Sequence, residues 1–175
     1  MKDVLARAAQ IELVVFDVDG VLTDGSLFVG DDGQEYKAFH SRDGFGIKLL
    51  KESGVAIGVI TARSSNVVQH RMDNLGIEHV YQGQLEKLPA FEELVAKLGL
   101  TPEQAAYVGD DVVDLPVMRR AGLAIAVQDA HPLAKQHAHW QTPHNGGHGA
   151  ARDVCELIME AHNTLDAQLN KFLYE

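Results

Sequence analysis

Leu13-Val14-Val15-Phe16 runs directly into Asp17-Val18-Asp19-Gly20-Val21-Leu22-Thr23-Asp24. A short continuous apolar run of this kind suits a strand buried on both faces, the usual state of a strand in a parallel sheet. Two carboxylates follow, two residues apart, so on extended backbone they share a face. Gly20 then lets the chain turn at once. By itself an Asp-x-Asp at a strand end reads as ordinary loop acids, because acids are common in turns. Desolvated like charges repel, however, and a hard divalent cation such as Mg²⁺ is one way to offset them.

The pattern recurs. Ala105-Ala106-Tyr107-Val108 leads into Gly109-Asp110-Asp111-Val112-Val113-Asp114, about ninety residues further on. Ala56 to Ile60, Leu123 to Val127 and the shorter His79-Val80-Tyr81 also read as buried strands. Helical segments lie between them: Phe45 to Glu52 before Gly54, Asn66 to Leu75 before Gly76, and Leu88 to Leu98 before Gly99. Thr101-Pro102-Glu103-Gln104 resembles a capping box. Alternating strands and helices predict an α/β fold, a Rossmann-like parallel sheet flanked by helices. Both acidic strand ends would then lie at the carboxyl edge of the sheet, where open α/β sheets bind ligands.

Residues 24–40 break the alternation. Leu27-Phe28-Val29 and Tyr36-Lys37-Ala38-Phe39 flank Gly30-Asp31-Asp32-Gly33 and predict a small β-hairpin flap over that edge. The insert is far too short for a cap domain. The three-glycine loop from His144 to Gly149 precedes an amphipathic helix, with Ala151, Val154, Leu157, Ile158, Ala161 and Leu165 on one face. That helix and a tail occupy about 150–175, and 1–175 reads as one domain.

Composition narrows the partners. Fifteen Lys and Arg against 25 Asp and Glu give a formal charge of −10, which argues against nucleic acid and anionic membranes as partners. Aromatics are only 6%, so the core must be aliphatic. The one cysteine, Cys155, excludes an intrachain disulfide and sits beside the apolar stripe of the last helix. No secretory apolar segment or run of ~20 apolar residues is present, so a soluble cytoplasmic protein is expected. His137, His139, His144 and His148 lack the companion ligands of a structural zinc site.

Two further residues fit between the acidic motifs. Thr61 closes the strand from Ala56 and offers a hydroxyl to a phosphate oxygen. Lys87 opens a helix and offers an ammonium to carboxylates and phosphate together. The set Asp17-x-Asp19, Thr61, Lys87 and Gly109-Asp110-Asp111-x-x-Asp114 resembles the four motifs of the haloacid dehalogenase superfamily. His40 to Ile47, Tyr81-Gln82-Gly83, Asp129-Ala130-His131-Pro132 and Gly146-Gly147-x-Gly149-Ala150 extend the resemblance to its capless phosphatases of 3-deoxy-D-manno-octulosonate 8-phosphate, from about residue 11 to 165.

That resemblance implies a Mg²⁺-dependent phosphatase in lipopolysaccharide precursor synthesis. Asp17 would form an aspartyl-phosphate, Asp19 would act as acid and then base, and Thr61 and Lys87 would steady the phosphoryl oxygens. Asp17, the Asp19 carbonyl and Asp110 would hold the metal, with Asp111 and Asp114 orienting Lys87 or metal-bound water. His40, Ser41, Arg42, Asp43, Gly44, Lys48, Arg63 and Arg71 would join Asp19 and Lys87 in gripping a sugar acid phosphate. The relatives' tetramers imply a homotetramer in which Gly146, Gly147, His148 and Gly149 cover a neighbour's site. Two positions depart from the family pattern: Ala62 stands where glycine is common, and His148 where the loop often carries arginine. The competing readings are a nine-carbon sialic-type acid 9-phosphate phosphatase, a promiscuous sugar phosphatase, and a catalytically silent oligomerisation module.

Overall fold

The computed structural model describes residues 1–174. Its centre is β1, Leu13–Phe16, whose four residues are all buried. On one side β1 pairs in parallel with β4, Ala56–Ile60, which pairs with β5, His79–Tyr81. On the other side it pairs with β6, Ala105–Gly109, followed by β7, Leu123–Ala126, and the short β8, Trp140–Gln141. The order β5-β4-β1-β6-β7-β8 makes a parallel sheet. The chain leaves β1 for β4 on one side and later crosses to β6 on the other. The carboxyl ends of β1 and β6 therefore flank the topological switch point, where a crevice opens.

The flap is a separate two-stranded ribbon of β2, Phe28–Val29, and β3, Glu35–Tyr36, paired antiparallel. It is shorter than the sequence predicts, with Phe28 opposite Tyr36 and Val29 opposite Glu35. Leu27, Phe28, Val29 and Tyr36 are each at least half exposed.

Helices α1 (Lys2–Ala8), α2 (Ser41–Glu52), α3 (Asn66–Leu75), α4 (Lys87–Lys97), α5 (Leu115–Met118), α6 (Pro132–His137) and α7 (Ala150–Ala161) pack around the sheet, and α8 (Leu165–Asn170) closes the chain. Several boundaries differ from the sequence reading. Helix α2 begins at Ser41 rather than Phe45, because His40 is extended and acts as N-cap. The weak helix formers Gly44 and Gly46 stay helical for a packing reason. A Cβ at Gly44 would strike Arg71, and one at Gly46 would press into Arg152 of α7. Thr101 to Gln104 forms its capping box on a single 3-10 turn that feeds β6 at once. The last helix breaks before Leu165, where Asn163 takes a positive φ of 57°, a conformation asparagine tolerates. Helix α1 and edge strand β8, two residues long, carry too weak a periodicity to be read from sequence.

The core is aliphatic, as the composition requires, with Cys155 fully buried inside it. Its largest aromatic contact is Phe91 of α4 edge-on to Tyr107 of β6, with ring centroids 6.4 Å apart at 88°. Phe91→Ala is expected to cost about 3–5 kcal/mol, whereas Leu85→Ala, 81% exposed, should stay within about 0.5 kcal/mol. Denaturant unfolding followed by circular dichroism and by the single tryptophan, Trp140, should give coincident curves, because the sheet and its helices share one core. Separated curves would mean two folding units.

Candidate active site

Four side chains meet at the switch point. Asp17 leaves the end of β1, and Asp110 leaves the end of β6. Lys87 is the first residue of α4, and Asp114 lies in the 3-10 turn after Asp111. Lys87 Nζ stands 2.6 Å from Asp17 Oδ2 and 2.7 Å from Asp114 Oδ1. The Val18 N–H donates to Asp17 Oδ1 at 2.6 Å. Asp114 is a saturated acceptor. The Tyr107 hydroxyl donates to Oδ1 at 2.6 Å, and the N–H groups of Asp110 and Asp111 donate to Oδ2 at 2.9 and 3.1 Å. Asp114 therefore fixes both the lysine and the loop that carries Asp110.

The electrostatics favour a cation. Burial, and next the charge of Asp114, push the Asp17 carboxyl up to about 7 despite Lys87. Burial, then Asp17 and Asp114, push Asp110 up to about 8. Burial pulls the Lys87 ammonium down, but the Asp17 and Asp114 carboxylates outweigh it and hold it above its ordinary value. Carboxylate oxygens of Asp17, Asp110 and Asp114 lie within 4.8 Å of one another. With Asp114 fully engaged by protein donors, Asp17 and Asp110 are the two with oxygens to share. Crowded, desolvated carboxylates of this kind fit a hard oxygen-seeking ion such as Mg²⁺. The approach is close enough that a Cβ at Gly20, whose φ is +87°, would run into the Asp110 carboxyl.

Thr61 follows β4 and is buried. Its N–H donates to the Tyr81 carbonyl and its carbonyl accepts from Gln84, while its hydroxyl has no partner among the described residues. The Asp19 carboxylate is outside the acidic cluster. Its Oδ1 meets Lys37 Nζ at 2.5 Å. Lys37 also meets Glu35 Oε1 at 3.2 Å, and Glu35 accepts from Arg63 Nη2 at 3.0 Å. Sequence reasoning passed over Lys37 and Glu35. Their i, i+2 spacing on the flap, with Tyr36 turned the other way, was the available signal.

The predicted substrate segment is divided. Ser41, Arg42 and Lys48 are exposed on α2. Arg63 is tied to the flap through Glu35. Arg71 lies 5.7 Å over the Phe39 ring, with its buried Nε unpaired, and the buried Nδ1 of His40 is likewise without a hydrogen bond. Asp43 has a structural task as well. Its buried carboxylate accepts from the N–H groups of Gly149 at 3.3 Å and Arg152 at 2.9 Å. It thus serves the open N-terminus of α7. The Asp111 side chain accepts from Val112 N–H and caps the local turn.

The loop expected to cover a neighbouring subunit's site is packed on its own chain. Gly147 N–H donates to the Val21 carbonyl at 2.9 Å, and Gly146 N–H donates to Asp129 Oδ1 at 2.9 Å. A Cβ at Gly146 would collide with the Gly20 carbonyl. The glycines let two loops of one chain interlock around the acidic motif. His148 remains exposed, its ring 6.4 Å from that of His40. His139 Nδ1 accepts from Ala124 N–H, and His144 pairs with Asp153 at 2.9 Å.

Comparison with known proteins agrees with this geometry. A family model described as haloacid dehalogenase-like hydrolase matches residues 77–153. The chain is 49% identical over 164 residues to the 3-deoxy-D-manno-octulosonate 8-phosphate phosphatase KdsC of Yersinia pestis, covering 94% of this chain and 88% of that protein. The crystal structure of the Yersinia pestis phosphatase superposes with a TM-score of 0.92 at 49% identity, covering 94% of this chain and 89% of that one. The Moraxella catarrhalis phosphatase, solved with magnesium, phosphate and a KDO molecule, superposes with a TM-score of 0.96 at 42% identity, over 98% and 99% of the two chains. With half its residues shared along nearly the full length of such relatives, the chain belongs to the 3-deoxy-D-manno-octulosonate 8-phosphate phosphatases, within the haloacid dehalogenase-like hydrolases.

Proposed function

We propose that the chain is a Mg²⁺-dependent phosphatase that hydrolyses 3-deoxy-D-manno-octulosonate 8-phosphate to the free sugar acid and phosphate, in lipopolysaccharide precursor synthesis. The observation that carries this reading is Asp17, held by Lys87 and Val18 N–H beside Asp110 at the sheet's switch point. Asp17 is the nucleophile, and its carboxylate attacks phosphorus to give an aspartyl-phosphate. Asp19 gives its proton to the leaving sugar oxygen and later takes one from the attacking water. Thr61 and Lys87 meet the non-bridging phosphoryl oxygens. Asp17, the Asp19 carbonyl and Asp110 would hold Mg²⁺, whose positive charge would let phosphate approach the carboxylates. Asp114 keeps Lys87 in place.

Arg63 and Arg71, with His40, are the side chains best placed to receive the sugar acid. Arg63 lies at the flap, and Arg71 has a buried donor without a partner. The exposed apolar flap residues Leu27, Phe28, Val29 and Tyr36 support a homotetramer in which flaps meet. No helix among the described residues is long and apolar enough to cross a membrane, and we place the enzyme in the cytoplasm.

The deciding assay is phosphate release with Mg²⁺ from the eight-carbon acid 8-phosphate, a nine-carbon acid 9-phosphate and two hexose phosphates. The eight-carbon ester should dominate, and Asp17→Asn should lower kcat by at least ~10³-fold, as loss of a nucleophile does. Nine-carbon dominance would keep the chemistry and overturn the substrate. Comparable rates on all four would make the enzyme a general sugar phosphatase, and no release at all would leave an oligomerisation module.

The raised carboxyls also give a stability test. In the unfolded chain Asp17 and Asp110 titrate near the usual value of about 4, whereas in the fold they rise to about 7 and about 8. The folded state therefore binds more protons across that window. Stability of the metal-free protein falls as pH rises from about 4 to about 8. Mg²⁺ needs both groups ionised and relieves their repulsion. The gain in Tm from adding Mg²⁺ in place of a chelator should thus be larger at about pH 8 than at about pH 6. Equal gains at both pH values would place the metal elsewhere.

A further inference from the structure

The two acids of the Asp-x-Asp motif are each held by a lysine, and the lysines come from different parts of the fold. Asp17 is held by Lys87 of α4. Asp19 is held by Lys37, which follows β3 on the flap. The second pairing has unusual features for a surface ribbon. The Lys37 side chain is wholly shielded from solvent, although most of its neighbours on the flap are exposed. A long cationic side chain is rarely buried unless paired, and here its ammonium stands between Asp19 Oδ1 and Glu35 Oε1. Glu35 is in turn held by Arg63, in the loop after β4. The flap is therefore tied to the sheet edge at two points, and one of them is the Asp19 carboxylate. Among the described residues no other group hydrogen-bonds that carboxylate, which leaves Oδ2 without a partner.

We infer that Lys37 is the positioning residue for Asp19. Its ammonium pins Oδ1, so that Oδ2 is presented to the oxygen that leaves phosphorus. The inference rests on the phosphatase reading and adds to it a role for the flap in the chemical step. In that step the bond from Asp17 to phosphorus forms and the bond from phosphorus to the sugar oxygen breaks. The sugar oxygen takes the bonding pair and receives the proton carried by Asp19. A carboxyl free to rotate would deliver that proton less often, and misplacement of about 1 Å costs on the order of 10²-fold in rate. The cost depends on the leaving group. A sugar alkoxide is a strong base and needs the proton, whereas nitrophenolate leaves readily without one.

The test compares wild type, Lys37→Met and Lys37→Gln, the last keeping a polar group that falls short of Asp19. Each is assayed with the sugar acid phosphate and with p-nitrophenyl phosphate. Both variants should lose about 10²-fold in kcat on the sugar ester, the usual worth of general acid catalysis. Their KM for it should stay near wild type, and their kcat/KM on p-nitrophenyl phosphate should change little, because that ratio ends at the aspartyl-phosphate and leaves out its hydrolysis, which Asp19 serves with either ester. The retained aryl activity shows in the same assay that the fold and Asp17 are intact. Equal losses in kcat/KM on both esters by a variant whose circular dichroism matches wild type would overturn the inference. So would a change confined to KM, which would make Lys37 a recognition residue. Wild type inactive on both esters would instead refute the phosphatase reading.

Discussion

A lysine ammonium buried between two carboxylates holds the site together. Lys87 joins the end of β1 to the turn after β6 from its own place at the start of α4, so three segments distant in sequence meet at one nitrogen. Removing either charge sign would leave the other buried and uncompensated, a loss that typically costs 3–5 kcal/mol. Asp114 makes the arrangement rigid. It accepts from Lys87, from the Tyr107 hydroxyl and from two backbone N–H groups, so both it and the lysine are held in place, with the third N–H of the ammonium left for a phosphoryl oxygen. Catalysis that depends on fixed dipoles and charges needs this kind of preorganisation, because nothing then has to reorient as charge develops.

The same cluster explains why a dication belongs here. Three carboxylates face one ammonium, leaving the centre negative before any substrate arrives. A phosphate ester is itself an anion, and burial magnifies the repulsion. Burial first, and the neighbouring carboxylates next, push Asp17 and Asp110 up. The packing is tight. Gly109 sits against the Asp114 side chain, where any Cβ would clash, so glycine is what lets Asp114 come this close to the end of β6.

The sheet and the acidic motifs were legible because they rest on local signals, apolar runs of four or five residues ending in acid or threonine. Strands β1, β4 and β6 and the positions of Asp17, Thr61 and Asp110 follow from them. What the sequence hid was long-range. Asp43 looks like one polar residue in a row of them, and only the approach of α7, more than a hundred positions later, turns it into a helix cap. The packed position of Gly146 and Gly147 depends on the Gly20–Thr23 loop in the same way. Lys37 was masked by a hairpin whose pairing covers two residues per strand, too few for alternation to be read.

A substrate with a carboxylate at one end and a phosphate at the other must enter a protein that is acidic as a whole. Steering then falls to a few local cations. Lys87 is committed to Asp17 and Asp114, Lys37 to Asp19 and Glu35, and Arg63 to Glu35. Arg71 is less committed, since its guanidinium makes one long hydrogen bond, to Asn74 at 3.4 Å, and rests on the Phe39 ring. Arg63 shares its acceptor with Lys37, so an incoming carboxylate that drew Arg63 away would leave Glu35 to Lys37 alone. Recognition of the sugar's far end and placement of the proton donor at its phosphate end would then be linked through one flap glutamate.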